Sequence, residues 1–180
     1  MKQENNTPRA ETKKQNQIKR TALTGLLFAL AVILSLVESL VPVPAPVGVR
    51  LGLSNIVVMY SLFFLRGRDA LIIAILKSFF VMMTRGTVAG LLSLSGGLFS
   101  LGIMMLLLFV FRERVSFLII GVSGALFHNF GQILAASVVL GSVLWYYLPI
   151  LIFSGLIAGI VTSFLLKVSI PALKKLQLTI

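Results

Sequence analysis

Short basic clusters alternate with long, almost uncharged apolar stretches along this chain, and that alternation excludes nearly every soluble fold. Thirteen of the 16 basic residues fall in four groups: Lys2, Arg9, Lys13, Lys14, Lys19 and Arg20; Arg66 and Arg68; Arg112 and Arg114; Lys167, Lys174 and Lys175. Such spacing is the positive-inside pattern of a polytopic membrane protein with both termini in the cytoplasm. The other three, Arg50, Lys77 and Arg85, lie within or beside the apolar stretches, where charge is costly and usually functional.

Composition points the same way. With 58% hydrophobic residues and five acidic side chains in 180, too little polar surface remains to clothe a soluble domain. The net charge of +11 is spread over four separate connectors, so it reads as topology and attraction to anionic lipid, not as a nucleic-acid footprint. Cysteine is absent, which removes disulfides, thiolate metal sites and cysteine nucleophiles.

Residues 1–20 are rich in Lys, Gln and Asn and lack an apolar core or a small-residue cleavage site, so they read as a disordered basic cytoplasmic tail and not as a signal peptide. Residues 21–180 form the membrane domain, with six apolar segments at about 21–40, 53–65, 70–83, 88–111, 115–140 and 143–166. The second and third are short, and a re-entrant pair competes with two spans. Re-entry would bury Arg66, Arg68 and Asp69 near the midplane, which favours two spans and an all-α bundle of six transmembrane helices. The outer connector 41–52 carries Pro42, Pro44 and Pro46 among apolar residues, a stiff extended path suited to a lid over the bundle. A loop lying in the headgroups is the alternative.

Several polar residues stand where lipid would not tolerate them. At about 1.5 Å per residue, Lys77 is near the midplane and His128 in the outer half, with Gln132 one turn further on the same helix face. Glu38, Arg50, Asn55 and Arg85 belong to the same outward half, as does Asn129. Together they suggest a net positive pocket for a small ligand carrying phosphate or carboxylate. Pairing of Glu38 with Arg50 or Arg85, and inter-helix hydrogen bonding by His128, Asn129 and Gln132, would account for the same residues without a ligand. A second pattern, Thr21, Gly25 and Ala29, puts small residues on one stripe of the first helix, which fits either close packing inside the bundle, slightly favoured, or docking of another subunit.

Gly48-Val-Arg-Leu-Gly-Leu-Ser-Asn-Ile56, Ser95-Gly-Gly97, Met104 to Leu106 and above all Gly124-Ala-Leu-Phe-His-Asn-Phe-Gly-Gln132 closely resemble the bacterial family known both as Gx transporter proteins and as heptaprenyl diphosphate synthase component I. The resemblance covers nearly all of residues 21–166. It implies a bundle like the substrate-binding S components of energy-coupling factor transporters, in a bacterial cytoplasmic membrane. Six helices, a lid-like first outer loop and a docking stripe on the first helix come with it, as does a connection to menaquinone synthesis or flavin-based extracellular electron transfer.

Prenyl elongation of the soluble kind needs two aspartate-rich clusters to hold magnesium, and this chain has one aspartate, Asp69. No Walker A motif is present. The expectation is therefore a non-enzyme that needs no cofactor: a binding or transport subunit for a small anionic or amphipathic ligand. The other reading is a membrane accessory or anchor subunit of a quinone or electron-transfer assembly. An integral-membrane enzyme using His128 as base is the weakest, since no acid partner lies on its helix. Expected partners are the bilayer, a coupling or electron-transfer subunit and the ligand, with no nucleic acid.

Overall fold

The structure, a computed structural model, describes residues 8–40, 52–112, 115–141 and 144–175, with side chains given between 12 and 171. Among these the chain is all-helical: α1 (Pro8–Ser39), α2 (Asn55–Phe64), α3 (Gly67–Arg85), α4 (Thr87–Phe111), α5 (Phe117–Leu140) and α6 (Leu148–Lys175), the last preceded by a 3-10 turn at Trp145–Tyr147. Four helical stretches are long and apolar enough to cross a membrane: Thr12–Ser39, Thr87–Phe111, Phe117–Leu140 and Trp145–Pro171. Burial is inverted relative to a soluble protein. Glu38, Lys77, His128 and Gln132 are buried, whereas Phe109 is 83% exposed and Val138 77%. Only an apolar surrounding makes that distribution favourable.

Residues 8–20, expected as part of a disordered tail, are instead the first turns of α1. Pro8 suits the first helical position, and Ala10, Lys13, Lys14, Gln15 and Gln17 are good helix formers. Lengthening an existing apolar helix needs no second nucleus. On α1 the buried residues Leu23, Leu27, Ala31, Ser35 and Glu38 follow each other at intervals of four or three and make one inward face.

The second apolar segment also differs from a regular span. α2 has ten residues, about 15 Å, which is half of a hydrocarbon core near 30 Å. It survives because it is the hub: α2 packs against every other helix, and Val57 through Ser61 are all buried. A half-length helix inside the protein leaves no backbone facing lipid. Its start lies beside the middle of α3, where Ser54 and Asn55 meet Lys77.

The basic end of the bundle is tied by charge. Asp69, in the first turn of α3, accepts from the Arg66 backbone N–H at 3.2 Å and takes a two-pronged contact from Arg20 of α1, Nε and Nη2 each at 2.8 Å. At the other end a single residue, Gly86 at φ +92°, turns α3 into α4. A β-carbon would strain that turn. The helices α4, α5 and α6 then pack in sequence, α1 against α2 and α3.

Candidate functional site

The midpoint of α3 meets the start of α2. Lys77 is 2% exposed, and its Nζ donates to Ser54 Oγ at 3.1 Å and Asn55 Oδ1 at 2.8 Å. An ammonium has three donors, so one N–H is left over. It stands at a cavity of about 160 Å³ lined by Ser35, Glu38, Lys77, Arg85, His128 and Gln132, together with Ser54, Val81, Ala89 and Ser93. Lys77, Val81 and Arg85 recur every four residues and give α3 a single cavity face, just as Ser35 and Glu38 complete the inward face of α1.

Each polar wall is braced from outside the cavity. Glu38 accepts from the backbone N–H of Gly52, just ahead of α2, while the Arg85 guanidinium donates to the Ser35 carbonyl and joins the far ends of α3 and α1. Ser78 holds Ser93 at 3.3 Å and anchors α3 to α4. His128 is clasped between two glycines. A β-carbon on Gly52 would come within 2.8 Å of its Cδ2, and one on Gly96 within 2.7 Å of its Nδ1. Gly52 also has φ +81°, so both its backbone and its neighbours require glycine.

Five of the residues picked out by sequence thus share one space: Glu38, Lys77, Arg85, His128 and Gln132. Asn55 stands directly behind Lys77; its Nδ2 is buried with no hydrogen-bond partner. Asn129 is not brought into this space. It is equally buried, but its Nδ2 reaches α6, at 2.8 Å from the Leu151 carbonyl and 3.5 Å from Ser154 Oγ. Adjacent residues on a helix point about 100° apart, and of the two His128 lines the cavity while Asn129 turns to α6. Arg50 and the proline-rich lid at 41–51 lie outside the described residues. Ser35 and Ser93 were not foreseen; each lies three residues from a marked position, Glu38 and Gly96, on the same helix face.

The stripe of Thr21, Gly25 and Ala29 is exposed along its length, and a β-carbon on Gly25 would meet nothing within 4 Å. It is not buried within the chain's own bundle. Of the α4 glycines, Gly90 lies close against Met82 and Gly96 against His128, while Gly102 has open space.

Fold and burial define a multi-pass helical membrane protein with a polar cavity between α1, α3, α4 and α5. The family model of heptaprenyl diphosphate synthase component I matches residues 27–168, and the chain belongs to that family. The match begins inside α1 and ends inside α6, so every residue lining the cavity falls within it. No curated protein and no solved structure matches the chain.

Proposed function

We propose that the chain is a membrane-embedded binding subunit, of the S-component kind, that receives the anionic head of a small ligand beside Lys77. One observation carries this reading: a buried ammonium with two hydrogen bonds keeps its third donor for the cavity that it lines. Arg85 adds a second cation, and His128, Gln132, Ser35 and Ser93 supply neutral polar contacts. Glu38 offsets part of the positive charge, which leaves a net attraction for a carboxylate or phosphate. The volume sets the scale of the head. At about 30 Å³ per water, 160 Å³ equals roughly five waters, below the ~300–1,000 Å³ of sites that enclose whole drug-sized molecules. A compact acidic group fits.

In this reading six helices cross or enter the bilayer, the basic end faces the cytoplasm, and the cavity is filled from outside. The chain carries out no chemistry on its ligand. Native mass spectrometry of protein purified in mild detergent tests the site. The wild type should release an acidic small molecule on unfolding, and Lys77→Met should fold without it. A ligand retained equally by both would remove Lys77 from the site. Single cysteines test direction: position 67 should resist labelling from outside intact cells.

The exposed stripe on α1 favours a second element of the proposal, a partner subunit. With no nucleotide motif in the chain, uptake would require either a coupling subunit, for which that face offers close approach, or passive, gradient-driven movement; in the anchor reading the same face would meet the assembly.

A further inference from the structure

A second hollow is larger than the polar cavity. At the basic end, where α4 stops and α5 and α6 approach the end of α2, an open groove of about 750 Å³ runs along the bundle. Its walls are apolar and aromatic, including Phe63, Phe117 and Phe164, and Phe63 meets Phe117 edge-on at 4.8 Å to form a firm floor. Phe164 is 64% exposed, so the groove opens sideways to where acyl chains lie.

Positive charge gathers at its rim from three sources. Arg112, at the end of α4, and Lys167, on α6, both line it and both are exposed. The third is the start of α5, a helix of 24 residues whose N-cap Ser116 lines the same groove and accepts from Ile119 N–H at 3.3 Å. A helix N-terminus carries about half a positive charge. Among the described lining residues there is no acid. Arg112 also has φ +52°, the one non-glycine positive value among the described residues, a costly backbone state held at the rim.

We infer that this groove is a binding site for an anionic phospholipid of the surrounding leaflet, its phosphate held by Arg112, Lys167 and the start of α5 and one acyl chain laid along Phe63, Phe117 and Phe164. An apolar channel that ends in cations at the membrane surface matches a lipid in both chemistry and orientation, and it stands apart from the Lys77 cavity.

Full-length protein in nanodiscs containing equal parts phosphatidylglycerol and phosphatidylcholine provides the test, with retained lipid counted by native mass spectrometry. The wild type should retain phosphatidylglycerol preferentially. Two rim cations, each worth about fivefold near an anionic surface, imply that R112Q/K167Q loses roughly 25-fold of that preference. R66Q/R68Q removes two charges from the same end without touching the groove, and should keep it. Equal loss in both double variants would overturn the site in favour of general surface attraction, and so would no preference in the wild type. Preferential displacement of the lipid by a soluble isoprenyl diphosphate would also overturn it, by assigning the groove to another ligand. A Phe164→Ala variant that melts as the wild type should shed the lipid while keeping the rim charge.

Discussion

The cavity beside Lys77 and the groove beside Arg112 place charge in opposite positions. In the cavity the ammonium is enclosed by α2 and α3 and steadied by Ser54 and Asn55, so its charge is part of how the bundle packs. In the groove the apolar walls are the structure and the cations stand outside them, free to meet water and headgroups. The same kind of residue is therefore bound up with stability at one site and nearly independent of it at the other. Desolvation is the reason: a buried charge must be compensated locally, a rim charge need not be.

The largest expected effect tests that difference at the cavity. Glu38 and Lys77 line one space and their opposite charges attract. Removing one of two opposite charges that face one cavity leaves the other less compensated, with the ~3–5 kcal/mol of a broken buried pair as the ceiling. Glu38→Gln and Lys77→Met should each destabilise the bundle by up to that amount, and the double variant by clearly less than their sum. Chemical unfolding in detergent reads this cycle. Additive losses would mean that the two charges do not compensate each other.

Next comes packing around His128. Gly96→Ala should cost about 1–3 kcal/mol, since the new methyl would sit 2.7–2.8 Å from His128 and Gln132 atoms. Gly102→Ala, on the same helix with nothing within 4 Å, should be neutral or slightly stabilising. A matched gain at both positions would show that helix propensity, not the clasp on His128, decides.

Smaller still is the rim. Arg112→Gln should change stability by no more than about 0.5 kcal/mol, the usual range for a surface substitution. Melting in lipid-free detergent checks it. A loss approaching that of Lys77→Met would erase the contrast between the two sites.

What could be read from the sequence follows the same physics. Glu38, Lys77, Arg85, His128 and Gln132 announced themselves because polar side chains inside apolar runs have few places to go, and helical spacing brought them together. Asn129 was drawn in by adjacency to His128, although its carboxamide serves the α5–α6 contact. The half-length of α2 was harder to see, because an apolar run does not reveal whether lipid or five helices surround it. The inward face of α1 was hidden for a similar reason: Leu26, Leu30 and Ile33 are exposed and Leu23 and Leu27 buried, and all are equally apolar. Where lipid replaces water, hydrophobic periodicity loses its meaning.

That ambiguity makes the outward stripe of α1 the finest test. Gly25 is exposed and a side chain there meets no part of the chain within 4 Å, so Gly25→Leu should leave the fold intact. Leucine is also the better helix former by somewhat under 1 kcal/mol, and a small rise in melting temperature is expected. Against a partner the outcome reverses. Helices that associate in a membrane through small residues depend on close backbone approach, which leucine blocks. Copurification of any subunit bound at this face should fall while the melting curve holds or rises. A Gly25→Leu protein that melts lower yet keeps its partner would place the stripe in the chain's own stability, contrary to its exposure. One that keeps both unchanged would move the partner to another surface, leaving Thr21, Gly25 and Ala29 as an ordinary lipid-facing strip.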